Sequence, residues 1–192
     1  MQQNAQKYNK SWSLFLDRDG VINQEIQGTY VTDWQEFKFY DGTLKALESL
    51  SQIFGHIIVV TNQRGVGRGI MQAEDLKDIH QHMQSEIVMN GGRIDKIYAC
   101  TSVNDDDINR KPNIGMALQA KEDFDDLEFK KCVMVGNNLS DMLFGKRNGM
   151  HTVFLTTTNH PVELPHETID EQYPSLKEWS DSLNLIESPM LN

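Results

Sequence analysis

Leu14-Phe15-Leu16-Asp17-Arg18-Asp19-Gly20-Val21-Ile22-Asn23 carries an apolar run straight into two carboxylates spaced one residue apart, followed by a glycine. Residues two apart in an extended chain face the same side, so Asp17 and Asp19 are expected to converge while Arg18 points away. Gly20 lets the chain turn sharply there. Two carboxylates held close do not both ionise freely unless a cation joins them, which suggests a metal or a shared proton. Asp-x-Asp-Gly also suits a plain turn. The strand-like run immediately before it favours a site.

Downstream, short apolar runs rich in β-branched residues alternate with segments of helical period. Strands are expected at 13–16, 57–60, 94–99, 132–135 and 152–155. Leu76, Ile79, Met83 and Ile87 recur at the spacing of one helix face, as do Leu44, Leu47 and Leu50 more briefly. The expected fold class is α/β, a three-layer Rossmann-like parallel sheet with helices on both faces. One domain over residues 1–192 is expected, because no repeat or long linker divides the chain. Residues 23–40 read as a flap whose aromatics, Tyr30, Trp34, Phe37, Phe39 and Tyr40, pack against the body or line a pocket. Residues 156–192 read as an irregular tail, punctuated by Pro161, Pro165 and Pro174, with a helix near 176–183.

The 192 residues are 39% hydrophobic and 24% charged, an ordinary globular balance. A net charge of −10 argues against a surface that follows nucleic acid or anionic lipid, so any phosphate site must be a local basic island. Two cysteines, Cys100 and Cys132, make no disulfide framework, and Met1-Gln2-Gln3-Asn4 is unlike a secretory signal. The apolar runs fall far short of the ~20 residues that span a bilayer. A cytoplasmic location without membrane attachment is expected.

In parallel α/β sheets ligands bind beyond the carboxyl ends of the strands, so the residues leaving each strand matter most. The second exit, Thr61-Asn62-Gln63-Arg64, runs into the glycine-rich Gly65-Val66-Gly67-Arg68-Gly69. A hydroxyl and backbone N–H groups there suit phosphate oxygens, although a flexible loop reads the same way. The third, Arg110-Lys111-Pro112, places two cations before a helical start in an acidic chain, as an anion site or a solvated pair. In the fourth, Gly136-Asn137-Asn138-Leu139-Ser140-Asp141, Asn137 and Asp141 share one side if a helix begins at once. Alternatively Asn137 or Ser140 caps that helix and Asp141 answers its dipole.

Taken in order, Asp17-Arg18-Asp19-Gly20, Thr61-Asn62-Gln63, Arg110-Lys111-Pro112 and Gly136 to Asp141 resemble the motifs of the haloacid-dehalogenase superfamily. Within it the chain looks most like the heptose-bisphosphate phosphatases and histidinol-phosphatases. The likeness covers about residues 14–155 and implies a haloacid-dehalogenase-like fold without a large cap domain. It implies Asp17 as a nucleophile that becomes a phosphoaspartate, and Asp19 as general acid and base. Thr61 and Lys111 would hold phosphoryl oxygens, with Asn62, Gln63 and Arg64 beside them and Arg110 reaching a distal part of the substrate. Mg²⁺ would sit between Asp17, the Asp19 carbonyl, Asn137 and Asp141.

Two departures stand out. The family's fourth motif usually begins Gly-Asp, where this chain has Gly136-Asn137, and an uncharged amide is expected to weaken magnesium binding. Its relatives often carry a zinc loop before Arg-Lys-Pro. Here only Cys100 precedes Asn104-Asp105-Asp106-Asp107, so no structural zinc is expected and the acidic run reads as a solvated loop. The implied activity is a Mg-dependent phosphomonoester hydrolase for a small phosphorylated metabolite, acting as a monomer. A heptose bisphosphate is the first substrate, histidinol phosphate the second, and a feeble phosphate-binding module the alternative.

Overall fold

The computed structural model describes residues 7–184, so Met1-Gln2-Gln3-Asn4 and the end of the tail lie outside the described residues. Six parallel strands form one sheet: β1 (Ser13–Leu16), β2 (His56–Asn62), β3 (Lys96–Cys100), β4 (Cys132–Gly136), β5 (His151–Leu155) and β6 (Glu171–Tyr173). Their order is β3-β2-β1-β4-β5-β6. Helices α1 (Thr43–Ile53), α2 (Arg64–Gly67), α3 (Ala73–Met89), α4 (Gly115–Asp123), α5 (Leu139–Arg147) and α6 (Leu176–Asn184) connect and flank them.

Alternation along the strands builds two cores. Leu14, Leu16, Ile57, Val59, Val133 and Val135 pack with Leu47, Leu50, Ile79, Met83 and Trp179, from α1, α3 and α6. Phe15, Ile58, Val60 and Met134 face the other way, against Met116, Ala117, Met142 and Phe144 of α4 and α5. The result is a three-layer fold. All of β1 and β4 is buried, as expected when helices cover both faces of a parallel sheet. On α3 the buried residues are the expected Leu76, Ile79, Met83 and Ile87, and Gln72 and Asp75 close a capping box at its start.

Some boundaries differ from those expected. β2 runs through Thr61 and Asn62 because both pair with β3, opposite Ala99 and Cys100. Ile94 and Asp95 precede β3: the Asp95 carboxylate accepts from the Ile57 N–H at 2.7 Å, and ladder pairing starts only at Lys96. β6 had no apolar pattern to reveal it. It is a three-residue edge strand laid on β5, and Glu171 within it pairs with His151 and Lys7. Short polar edges discourage further pairing, which is also why they are hard to read from sequence.

Segment 23–40 is pinned at its base by a bridge between Asn23 and Phe39. Trp34 stacks on Phe37 at 5.0 Å and on His82 of α3 at 5.3 Å, and Phe37 is buried. These rings pack against the body. Tyr30 instead lies over Gly65, its hydroxyl accepting from Arg68 at 2.9 Å, and so faces the strand exits. Among the described residues no helix is long and apolar enough to cross a membrane.

Candidate active site

β1 has β2 on one side and β4 on the other, so the connections leaving β1 and β4 diverge and open a crevice at their carboxyl ends. Asp17 is the first residue past β1, and its N–H still donates to the Val135 carbonyl of β4 at 3.0 Å. Lys111 arrives from the loop after β3. Its backbone is held by the Asn62 amide, whose Oδ1 accepts from the Lys111 N–H at 3.0 Å and whose Nδ2 donates to the Lys111 carbonyl at 3.1 Å. The Lys111 Nζ then stands 3.0 Å from Asp17 Oδ1 and 2.7 Å from Asp141 Oδ1. All three side chains are buried.

Two carboxylates around one ammonium leave an excess negative charge away from water. Burial, then Asp141, push the Asp17 carboxyl up, and Lys111 only partly offsets this. Burial works to discharge Lys111, but Asp141 and Asp17 outweigh it, so Lys111 stays a cation. Asp141 serves two neighbours: Oδ1 pairs with Lys111, and Oδ2 accepts from the Asn138 N–H at 3.0 Å at the start of α5.

Arg18 does not point away from its neighbours. Its backbone leaves the strand, but the fully buried guanidinium turns back and grips Asp19 with Nη2 at 2.8 and 2.9 Å, while Nη1 contacts His80 at 3.2 Å. A long side chain can defeat the two-residue alternation once the chain has left β1 and turns at Gly20, φ 86°. Asp19 also accepts from Asn23 at 2.9 Å and from Gln63 at 2.7 Å. Burial raises the Asp19 carboxyl, but Arg18, Asn23 and Gln63 outweigh it and hold it below the ordinary range. Burial and then Arg18 push His80 down to about 3, so it is a neutral partner.

Asn137 and Asp141 do not share a helix face. α5 begins only at Leu139, with Asn138 as its cap in a box with Asp141. Asn137 lies against Gly20 so closely that a Cβ there would come within 2.0 Å of its Nδ2. That amide nitrogen donates to Thr158 Oγ1 at 2.7 Å, and Oδ1 is buried with no partner.

Asp17, Asp19, Thr61, Asn62, Arg110, Lys111 and Asp141 line one cavity of about 230 Å³. Gln63, Arg64 and Asn137 stand outside that lining. Gln63 bridges Asp19 to Thr61, donating to the Thr61 hydroxyl at 2.8 Å. Arg64 and Arg110 both reach Asp105, so the 105–107 run is not simply solvated. Glu25, Thr29, Tyr30, Asn138 and Ser140 also line the cavity. Glu25 carried no sequence signal beyond its nearness to Asp19; burial, then Asp19, raise its carboxyl. A broader, shallow groove of about 830 Å³ runs along α3, but it gathers two amides, a serine hydroxyl, a valine, a methionine and a single histidine. The smaller cavity has the chemistry.

The donor set fits a hard cation: two carboxylates with surplus charge and the orphaned Asn137 Oδ1 are oxygen ligands. Among the described residues no three His, Cys, Asp or Glu side chains would hold a metal by themselves, so backbone carbonyls, the amide and water would complete it.

Comparison with known proteins points the same way. Residues 14–169 match the family model described as polynucleotide kinase 3 phosphatase. A D-glycero-alpha-D-manno-heptose-1,7-bisphosphate 7-phosphatase of Mycobacterium bovis is 39% identical over 139 residues, 72% of this chain and 73% of its own length. The enzyme of the same description from Campylobacter jejuni is 35% identical over 169 residues, 88% and 94% of the two chains. A D,D-heptose 1,7-bisphosphate phosphatase from B. bronchiseptica, crystallised with magnesium and phosphate, superimposes with a TM-score of 0.80 at 26% identity, covering 91% of this chain and 98% of that one. The span matched by the family model contains every wall of the cavity, and the chain belongs to the haloacid-dehalogenase superfamily of phosphatases.

Proposed function

We propose that this phosphatase hydrolyses a small phosphorylated sugar, with a heptose 1,7-bisphosphate first, through a phosphoaspartate on Asp17. The observation that carries the reading is the buried Asp17–Lys111–Asp141 array at the mouth between β1 and β4. An Asp17 oxygen attacks phosphorus as the bond to the leaving oxygen breaks, and Asp19 gives that oxygen its proton. Water then attacks the phosphoaspartate, Asp19 takes its proton, and orthophosphate leaves. Arg18 holds Asp19 ready for the second half. An incoming phosphate dianion raises the Asp19 pKa and so favours the protonated form that the first half needs. Lys111 and Thr61 hold phosphoryl oxygens, with Arg110 toward the distal end of the substrate.

Asp17, Asp141, the Asp19 carbonyl and Asn137 would hold Mg²⁺, which when bound neutralises charge on the transferring group. A net charge of −10 supports a small substrate over a nucleic acid end, and a monomeric, cytoplasmic enzyme is in keeping with that reading. Turnover of an aryl phosphate with and without Mg²⁺ is the direct test: Mg-dependent release is expected, and binding without release leaves a phosphate-binding module. Histidinol phosphate belongs in the same screen as the heptose bisphosphate.

Asn137 has its own test. Asn137→Asp is expected to lower the Mg²⁺ concentration for half-maximal activity about tenfold, or about 1.4 kcal/mol. An unmoved magnesium titration removes Asn137 from the ligand set and leaves it as the Thr158 partner seen here.

A further inference from the structure

The buried Arg18 guanidinium is held from two sides, and only one of them is close in sequence. Asp19 accepts from Nη2 through both carboxylate oxygens, with Nε adding a bond to Oδ1 at 3.2 Å. Nη1 reaches the other way, to Nε2 of His80 at 3.2 Å, 62 residues along the chain. Arginine can only donate, so the ring accepts at Nε2 and carries its proton on Nδ1. His80 follows the buried Ile79 on α3, with the buried Leu76 and Met83 one turn to either side. The packing that fixes this helix therefore fixes the acceptor. Asp19 and Arg18 by themselves are adjacent residues that could swing as one unit, and His80 ties that unit to the body. The acceptor is also uncharged. A carboxylate in its place would compete with Asp19 for the guanidinium, and an aliphatic group would leave a buried N–H without a partner.

We propose that His80 is a positioning residue of the reaction: by anchoring the Arg18 guanidinium to α3 it fixes the direction in which Asp19 presents its carboxyl to the leaving oxygen. This deepens the general-acid reading of Asp19 and rests on it. His80 does not line the cavity that holds Asp17 and Asp19, so it acts through Arg18. Proton transfer needs the acid within hydrogen-bond reach of the leaving oxygen, and a misplacement of about 1 Å costs on the order of 10²-fold. Asn23 and Gln63 still hold Asp19 when His80 is lost, so the expected cost is smaller than that.

The test measures kcat/KM with Mg²⁺ on the full chain for heptose 1,7-bisphosphate, an alkyl phosphate, and for 4-nitrophenyl phosphate, whose leaving group needs little protonation. This ratio reports the half-reaction that releases the leaving group. His80→Leu is expected to lower the heptose value about tenfold, equivalent to about 1.4 kcal/mol, and to leave the aryl value nearly unchanged. His80→Gln, which offers an amide oxygen in place of Nε2, should keep both. In an Arg18→Met background His80→Leu should cost nothing further, because the side chain it anchors is gone. If the leucine variant does not fold, His80→Ala replaces it: a water that enters accepts the N–H but is not fixed to the helix, so the same selective loss is expected. Equal loss on both substrates, no loss at all, an equal loss in His80→Gln, or an undiminished loss without Arg18 overturns the proposal. Asp19→Asn separates the two readings. An alkyl-selective loss there but not in His80→Leu removes the anchoring role alone, and no such loss in Asp19→Asn removes the general-acid reading.

Discussion

Asp17→Asn should abolish phosphate release, with a loss on the order of 10⁶-fold, the scale set by removing the nucleophile of a covalent enzyme. The amide is nearly the same size but is a far poorer nucleophile. The same substitution should make the metal-free protein more stable at neutral pH. The folded-state pKa of Asp17 lies above its ordinary value, so the unfolded chain releases the proton first and stability falls as pH rises from the ordinary carboxylate value toward the elevated one. Asn removes that burden and leaves Lys111 paired with Asp141 alone. Steady-state rates and thermal melts in chelator measure the two effects. A variant that keeps wild-type turnover sinks the nucleophile assignment. A melt below wild type shows that Asp17 is instead stabilising the fold.

Asp19→Asn carries the next largest effect, and it falls on both activity and fold. Loss of the general acid and base should slow turnover of an alkyl phosphate by ~10²- to 10⁴-fold. An aryl phosphate, whose leaving group needs less protonation, should lose less in the first half-reaction. Arg18 is fully buried, and Asp19 is its carboxylate partner. Removing one side of such a pair costs about 3–5 kcal/mol, whereas replacing both with apolar groups is often nearly neutral. The double variant Arg18→Met, Asp19→Asn leaves no unpaired charge, and it should regain much of the lost stability without regaining alkyl phosphate turnover. If turnover returns with stability, Asp19 serves only to neutralise the buried Arg18 and is not the general acid and base.

The strands that frame the site were legible because a parallel strand covered on both faces needs a nearly continuous apolar run. Leu14 to Leu16 and Cys132 to Val135 supply one each. The Leu76, Ile79, Met83 and Ile87 stripe was legible for a similar reason, since only its period lets one helix face pack against the sheet. β6 escaped because hydrogen bonding to β5, rather than hydrophobic pattern, makes it a strand. Within the site, Asp17, Lys111 and Asp141 follow three different strands, and the parallel pairing of those strands brings their exits to one end of the sheet.

What the chain determined by itself were the properties that repeat locally: an α/β pattern, an Asp-Arg-Asp-Gly turn after the first strand, and a cation pair before Pro112. What only the tertiary structure decided was where each polar side chain turns after leaving its strand. Arg18 folds back onto Asp19, Asn137 lies on Gly20 and faces Thr158, and Asp105 bridges Arg64 and Arg110. The physical reason is that burial of apolar residues follows a period set by the neighbouring backbone. A buried charge or amide, by contrast, turns to whichever partner offsets its desolvation, and several of these partners lie far away along the chain.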